Sequence, residues 1–209
     1  MKIILAGATG LVGGKILENL LKQPDIESIT AYARKAQEIS DPKLSWVIGS
    51  LPPASVPKAD ALIMAIGTTI AKAGSKEAFF ETDVEIPFQM ARLAKNAGVQ
   101  SVCNVSSKGA NLKSFLFYNR SKAELENRLI ELKFSKTIII RPSLLLGERI
   151  ENRPGEKIGQ FIFRNLNFLF PKSLRAVSAQ SVAISLVNSL KSKTKGLCII
   201  ENQEIVSGK

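Results

Sequence analysis

Apolar runs alternate with amphipathic stretches along most of the chain. Six short runs rich in β-branched residues predict strands at residues 2–7, 28–33, 44–49, 61–67, 101–106 and 136–141. Their hydrophobicity is nearly continuous, which is typical of parallel strands that helices cover on both faces. Helices are predicted between them at roughly 11–22, 75–97 and 114–133. This alternation predicts an α/β fold with a doubly wound parallel sheet.

The connection between the third and fourth predicted strands is rich in proline. Residues 50–60 read SLPPASVPKAD and contain three prolines. Proline lacks the N–H group that an internal helical residue donates, so this segment predicts an extended or turn-rich connection instead of a helix.

The alternation loosens after residue 142. A polar loop is followed by two predicted helices, at 161–170 and 179–192, and by a predicted final strand within 195–205. This tail is too short for an independent domain. We therefore predict a single domain over residues 1–209. In it, residues 143–209 form a small C-terminal cap over the carboxyl edge of the sheet, with a substrate-side loop, helices and the final strand.

The composition is that of a globular protein without a membrane span. Apolar residues make up 45% of the chain and charged residues 22%, and no apolar run reaches the roughly 18 residues that a membrane helix needs. The start, MKIILAGATG, runs into glycines instead of a cleavage site and predicts a first strand. Cys103 and Cys198 both lie in apolar runs, and buried thiols fit a reducing compartment better than a disulfide framework. We expect a cytoplasmic protein that is not associated with a membrane.

The chain contains no histidine, which excludes histidine-based triads and histidine metal ligands. We predict no metal site. The net charge of +11 would attract phosphate-bearing ligands, nucleic acid or an acidic surface. No nucleic-acid-binding motif accompanies that charge, so nucleic-acid binding is disfavoured.

A glycine triplet follows the first predicted strand and opens the first helix. Gly7 permits a tight turn, Gly10 would let the backbone approach a pyrophosphate, and Gly13 would allow the helix to pack closely on the strand. This arrangement predicts a Rossmann-type dinucleotide site, although a purely structural strand–helix turn stays open as the alternative. The predicted cofactor-binding residues of the segment are Gly7, Thr9, Gly10, Leu11, Val12 and Gly13.

The end of the second predicted strand helps to choose the cofactor. NAD-preferring sites commonly carry an acidic residue there, whereas this chain has Arg34 and Lys35. Because arginine can pair with a 2′-phosphate, the sequence favours NADP(H) over NAD(H). The alternative is that both side chains are solvated surface cations.

Tyr118 and Lys122 stand four residues apart on a predicted helix, so they share one helix face. Such a pair is common by chance, and by itself it would suggest two solvent-exposed side chains without a catalytic role. Ser106 and Ser107 precede it at the end of a buried strand, where ligands collect in doubly wound sheets. The combination favours an acid/base pair.

These segments carry a family resemblance. The motifs GATGLVG, AIGTT, VSSKGA, YNRSK and RPSLLLGER followed by RPGE occur in this order. With them, the chain resembles the short-chain dehydrogenase/reductase superfamily, and more closely its small atypical members related to the Tat-interacting-protein oxidoreductases. The resemblance implies that Tyr118 is the general acid/base and that Lys122 holds the nicotinamide ribose and favours the phenolate. It also implies that Ser107, or alternatively Ser106, orients the substrate carbonyl.

The resemblance implies further cofactor contacts. Gly67, Thr68 and Thr69 would line the cofactor past the fourth strand, and Pro142 and Leu144 would pass beside the nicotinamide. One departure is that many members carry an asparagine where this chain has Asp83. Arg149 and Arg153, in the loop Arg149–Glu156, could meet an anionic substrate or pair with neighbouring glutamates; we favour the salt-bridged loop.

The function that the resemblance implies is hydride transfer between NADP(H) and a small carbonyl or quinone-like substrate. The alternative is an NADPH-binding sensor or regulatory protein that acts through a partner with little or no turnover. Enzymes that epimerise sugar nucleotides share these motifs, but the tail after residue 142 is too short for a full nucleotide-sugar domain. The identity of the small-molecule substrate, a protein partner and a homodimer stay open.

Overall fold

The computed structural model describes residues 1–146, 171 and 173–208. The strands in this part of the chain are β1 (Lys2–Ala6), β2 (Ser28–Ala33), β3 (Leu44–Ile48), β4 (Ala61–Met64), β5 (Ser101–Val105), β6 (Lys136–Arg141), β7 (Leu145–Leu146), β8 (Val177–Ser178) and β9 (Gly196–Glu201). Seven of these described strands form one parallel sheet in the order β3-β2-β1-β4-β5-β6-β9. The sheet confirms the predicted fold class. Its order reverses between β1 and β4, and ligands bind outside the carboxyl ends of strands at such a reversal.

Helices cover both faces of the sheet. The helices are α1 (Leu11–Leu21), α2 (Ile70–Ala73), α3 (Lys76–Phe80), α4 (Ile86–Asn96), α5 (Phe117–Glu131), α6 (Ala179–Lys191) and α7 (Asn202–Ser207). Ile3 and Leu5 of β1 belong to the core beneath α1 and α6, whereas Ile4 and Ala6 belong to the core beneath α4 and α5. Successive strand residues point to opposite faces, so two apolar cores explain the continuous apolar runs. None of the described helices is long and apolar enough to cross a lipid bilayer.

A π-helical turn interrupts the long helix that the sequence predicts over 75–97. The turn, Glu81–Glu85, lies between α3 and α4. Pro87, in the first turn of α4, has no N–H with which to bond the carbonyl of Asp83 four residues earlier, so the regular helical ladder breaks at this point. The side chain of Asp83 is consequently buried beneath the carboxyl ends of the strands, with 1% of the residue exposed.

The crossovers on either side of β3 contain no helix. Residues 50–60 are irregular, as their prolines predict, and residues 34–43 between β2 and β3 are irregular as well. Leu51, Val56 and Ala59 of the proline-rich crossover are partly buried against the core beneath α4. The crossover therefore contributes a thin apolar cover in place of a helix.

The C-terminal part departs from the prediction in two respects. The final strand ends at Glu201, because the side chains of Glu201 and Glu204 form a capping box that starts α7. In addition, α6 packs beside α1 on one face of the sheet and β9 extends the sheet, so of the described C-terminal elements β7, β8 and the start of α7 lie at its carboxyl edge. The predicted helix at 161–170 and the loop Arg149–Glu156 lie outside the described residues.

Two buried polar side chains in the core have structural roles. Cys103 is completely buried on β5, and burial raises the pKa of its thiol to about 12, which makes it a poor nucleophile. The ammonium of Lys136 donates hydrogen bonds to the carbonyls of Ser189, Leu190 and Ser192 at 2.6, 3.1 and 2.6 Å. These carbonyls end α6, so Lys136 caps the negative end of that helix.

Candidate active site

The glycine loop joins β1 to α1 in a backbone shape that side chains would disrupt. Gly7 has a φ of +91°, and a Cβ added to it would lie 2.5 Å from the carbonyl carbon and oxygen of Ala65. A Cβ on Gly13 would lie 1.9 Å from the carbonyl oxygen of Gly7, so α1 could not pack this closely on the turn. Gly10 differs, because it is exposed and its Cβ would come no nearer than 3.3 Å to another atom.

The N-terminus of α1 is open to an anion. Gly10 is the N-cap, no side chain caps the helix, and its first turn contains no acidic residue. The first N–H groups of a helix lack partners within the helix, and together with the helix dipole they favour a phosphate. Thr9 is exposed at this point and Leu11 is half-buried, whereas Val12 packs into the core. These features fit the pyrophosphate of a dinucleotide.

Arg34 and Lys35 follow β2 at the same edge of the sheet. The strand register pairs Ala6 of β1 with Tyr32 of β2, which brings the residues after Tyr32 beside the glycine loop. Both cations are exposed, and neither side chain forms a hydrogen bond or an ion pair with any residue in the described part of the chain. They are therefore available to an anionic ligand.

The segment after β4 lies on the other side of β1. The N–H of Thr68 donates a 2.8 Å hydrogen bond to Oδ2 of Asp83. A Cβ on Gly67 would lie 3.5 Å from Oδ1 of Asp83 and 3.8 Å from Nζ of Lys122, so this backbone passes close over both groups. Thr69 is the N-cap of α2, and its hydroxyl accepts a hydrogen bond from the N–H of Lys72. The side chain of Thr69 is thus engaged in the fold.

Lys122 and Asp83 form a buried ion pair that the sequence did not predict. Nζ of Lys122 lies 2.6 Å from Oδ1 of Asp83, and the two side chains are 6% and 0% exposed. The second carboxylate oxygen of Asp83 binds the N–H of Thr68, so one carboxylate holds α5, the π-helical turn and the segment after β4 together. An asparagine would preserve the hydrogen-bonding shape at this position but would leave the ammonium without a countercharge.

Tyr118 is half-buried one turn before Lys122 on α5. Nζ of Lys122 lies 5.7 Å from the centre of the tyrosine ring, and the centre of the Phe79 ring lies 5.6 Å from it. The structure therefore brings the predicted pair together, with the ammonium held beside the phenol by Asp83.

The two predicted serines have different environments. The hydroxyl of Ser106 is buried and donates a hydrogen bond to the buried carboxylate of Glu126. Arg141 also binds Glu126, and these hydrogen bonds raise the pKa of the Arg141 guanidinium. Ser107 is less buried, and within the described part of the chain its hydroxyl makes a single long hydrogen bond, 3.3 Å, to the neighbouring carbonyl of Lys108. Ser106 thus has a structural partner, and Ser107 is the serine that remains available to a substrate.

The loop that carries Ser107 lies against the start of α5. The N–H of Asn111 donates to the carbonyl of Asn119, and a Cβ on Gly109 would lie 3.1 Å from the Asn119 amide. Because Asn119 follows Tyr118, these contacts bring the end of β5 and the predicted acid/base residue to one region.

The segment after β6 borders the same region. The carbonyl of Pro142 accepts a hydrogen bond from the N–H of Lys108, and the N–H of Ser143 donates to the side chain of Asn202 at the start of α7. Leu144 is 51% exposed. Sequence reasoning missed Asn202 and Glu126, because both lie among other polar residues, in ENQE and ELENR, where no local pattern singles them out.

Comparison with known proteins agrees with this geometry. A family model described as NAD(P)H-binding matches residues 7–193. A protein from Lodderomyces elongisporus named "Protein FMP52, mitochondrial" is 38% identical over 169 residues, which are 72% of this chain and 69% of the relative. A protein of the same name from Candida albicans is 39% identical over 176 residues, covering 78% of this chain and 75% of the relative.

Solved structures share the fold at low sequence identity. A dTDP-glucose 4,6-dehydratase from Streptomyces venezuelae with NAD bound has a TM-score of 0.74 at 17% identity, covering 99% of this chain and 79% of that protein. The enzyme WbmH from Bordetella bronchiseptica, in complex with NAD+, has a TM-score of 0.67 at 16% identity, with coverage of 99% and 79%.

The relatives also correct one expectation. Both FMP52 proteins are named as mitochondrial, which contradicts our prediction of a cytoplasmic location. That prediction rested on the apolar start of the chain and on Cys103 and Cys198, which both lie in apolar runs. It was wrong because buried thiols do not distinguish one reducing compartment from another.

The chain's own residues fit an NAD(P)H cofactor, since an uncapped helix, a glycine cradle and two available cations surround the reversal point of the sheet. The family model covers most of the chain, and the two curated relatives are 38% and 39% identical to it in sequence. The chain therefore belongs to the NAD(P)H-binding family, in agreement with the resemblance to atypical short-chain dehydrogenases/reductases that its motifs carry.

Proposed function

We propose that this protein is an NADPH-dependent oxidoreductase that acts on a small carbonyl or quinone-like substrate, with Tyr118 as its general acid/base. The observation that carries the proposal is the position of the Lys122 ammonium, 5.7 Å from the Tyr118 ring centre and 2.6 Å from the buried Asp83 carboxylate. A buried lysine held one helical turn from a half-buried tyrosine suits proton transfer at the tyrosine hydroxyl, whereas a pair on the outer surface of the helix would leave the lysine exposed.

The cofactor would supply or accept the hydride, and the chain's own residues would manage the proton and the substrate. In the reduction direction, the Tyr118 hydroxyl gives its proton to the carbonyl oxygen, and the positive charge of Lys122 stabilises the phenolate left behind. The Ser107 hydroxyl would hold the carbonyl oxygen in place before transfer. Asp83 keeps the ammonium at its position through the step.

We assign the cofactor preference to Arg34. Its guanidinium and the Lys35 ammonium are exposed beside the glycine loop without partners in the described part of the chain. Guanidinium groups pair with phosphates through two parallel hydrogen bonds, and the 2′-phosphate is the group that distinguishes NADPH from NADH.

A titration of the full-length protein with NADPH and NADH tests this assignment. We expect NADPH to bind more tightly, and Arg34→Ala to weaken NADPH binding by about tenfold or more while changing NADH binding by less than about twofold. Lys193→Ala, which removes an exposed cation from the turn between α6 and β9, is the matched control. Tight NADH binding with no preference for NADPH would contradict the assignment.

The oxidoreductase proposal itself is tested by turnover. We expect the purified protein to oxidise NADPH in the presence of at least one member of a panel of aldehydes, ketones and quinones, as followed by the loss of reduced-nicotinamide absorbance. A protein that binds NADPH but oxidises it with none of these compounds would contradict the proposal. That outcome would favour a cofactor-binding regulatory protein, since only such a role needs the binding residues without the acid/base pair.

A further inference from the structure

The loop between β5 and α5 presents large apolar side chains to solvent. Phe115 is 101% exposed, Leu116 is 64% exposed and Leu112 is 47% exposed. These three residues belong to a single short segment, residues 111–116, which we call the apolar loop. Single exposed apolar residues are common on protein surfaces. Three on one short loop indicate a surface that binds a membrane or another protein.

Hydrogen bonds hold the apolar loop in this exposed shape. Nη1 of Arg120 donates to the carbonyls of Ser114 and Phe115 at 2.8 and 2.9 Å. The side chain of Asn111 accepts from the N–H of Lys113 at 2.8 Å, and the hydroxyl of Ser114 accepts from the N–H of Leu116 at 3.2 Å. Because its backbone polar groups have these partners, the loop stays folded with its apolar side chains outward.

Cations lie in or next to the apolar loop, and the carboxylate of Glu124 lines the same groove as Leu112 and Arg120. The sequence contains no acidic residue between Glu85 and Glu124, whereas Lys108, Lys113 and Arg120 lie in or next to the loop. The Phe117 ring, directly after the loop, has Nζ of Lys76 at 5.7 Å and the Arg120 guanidinium at 6.0 Å from its centre.

We propose that the apolar loop docks the protein on an anionic lipid membrane, with Phe115 and Leu116 inserted at the interface and Lys113 against the headgroups. Basic and aromatic side chains on one surface element are the combination that binds such interfaces. A second copy of this chain fits the loop less well, since a two-fold contact would bring its cations against each other. A lipid interface is also soft, so a protruding Phe115 needs no complementary pocket there.

The proposal replaces our expectation of a protein without membrane contact, which considered only spanning segments. It concerns surface docking, because three separated side chains in a short loop cannot span a bilayer. Docking would bring the start of α5, and with it Tyr118, to the lipid surface, where an apolar substrate would be concentrated. It does not rest on the proposed oxidoreductase activity, since membrane binding is measured without turnover.

The test is co-sedimentation of the purified full-length protein with vesicles. We expect binding to vesicles of equal parts phosphatidylcholine and phosphatidylglycerol, and at least about tenfold weaker binding to phosphatidylcholine alone or in high salt. The double variant Phe115→Ser, Leu116→Ser should lose at least about tenfold in binding to the mixed vesicles, and Lys113→Gln should lose about fivefold.

Control variants distinguish binding by the apolar loop from a general effect of surface hydrophobicity or net charge. Ile184→Ser with Leu197→Ser changes two side chains that are 42% and 48% exposed on α6 and β9, and Lys193→Gln removes a distant cation. These variants should bind as the wild type does. The proposal is overturned if the wild type does not sediment with mixed vesicles, or if the two double variants bind equally. It is also overturned if the loop variant instead turns a dimer into a monomer in size-exclusion chromatography with light scattering.

Discussion

Replacing Tyr118 with Phe should lower carbonyl-dependent NADPH oxidation by roughly 10²- to 10⁴-fold, which is the usual contribution of a positioned general acid. The substitution removes one oxygen atom and keeps the ring, so the contact with the Phe79 ring, 5.6 Å away, is preserved. NADPH binding, followed by nicotinamide fluorescence, should change by less than about threefold, because the hydroxyl acts on the substrate. The effect should therefore appear in kcat and leave the affinity for the cofactor almost unchanged.

The chain's other tyrosine offers a matched control. Tyr32 is 5% exposed on β2, and burial raises the pKa of its phenol, so it carries no charge near neutral pH. Tyr32→Phe should keep turnover within about threefold of the wild type. Equal losses in the two variants would indicate a general response to the missing hydroxyl and would contradict the role of Tyr118.

Replacing Asp83 with Ala should destabilise the fold by about 3–5 kcal/mol, because it leaves the Lys122 ammonium buried without a countercharge. It also removes the acceptor for the N–H of Thr68. Urea unfolding followed by circular dichroism measures the effect as a shift in the transition midpoint. The variant with both Asp83→Ala and Lys122→Met should recover part of the loss, since the unpaired charge is then absent.

An exposed ion pair provides the comparison for Asp83. Lys15 and Glu18 on α1 lie 2.9 Å apart with 41% and 49% of their side chains exposed. Glu18→Ala should cost less than about 1 kcal/mol, because water screens such pairs. If Asp83→Ala costs no more than Glu18→Ala does, then the Lys122 ammonium finds water or another partner, and our account of the anchored lysine is wrong.

The central strands could be predicted from the sequence because helices cover them on both faces, whereas the edge strand β3 is largely exposed. Lys136–Arg141 and Ser28–Ala33 begin and end where the apolar runs do. The C-terminal strand was predicted too long, although the spacing of Glu201 and Glu204 is a readable signal for a helix start. Such local signals decide where an element ends, whereas an apolar run by itself does not.

The candidate site was only partly predictable, because its deciding contacts join residues far apart in the chain. Lys122 and Asp83 are separated by 39 positions, and the sequence indicated each residue without their pairing. Ser106 and Ser107 are neighbours of the same type, so no local pattern distinguishes them. The distinction comes from Glu126, which is 20 positions after Ser106 and whose carboxylate accepts a hydrogen bond from the Ser106 hydroxyl.

The packing of the glycine loop also determines which substitutions can report on cofactor binding. Side chains at Gly7 or Gly13 would collide with backbone atoms of the protein itself, at 2.5 and 1.9 Å. A loss of cofactor binding in either variant would therefore be inseparable from a damaged fold. Gly10 is exposed with an ordinary φ of −83°, and a Cβ there would lie 3.3 Å from the carbonyl oxygen of Gly7, a tight contact that a small shift of the turn relieves. A side chain at Gly10 would therefore obstruct the phosphates at a much smaller cost to the fold than one at Gly7 or Gly13. Of the three glycines, Gly10 is the one at which a ligand-binding defect can be created with the smallest accompanying change in the fold.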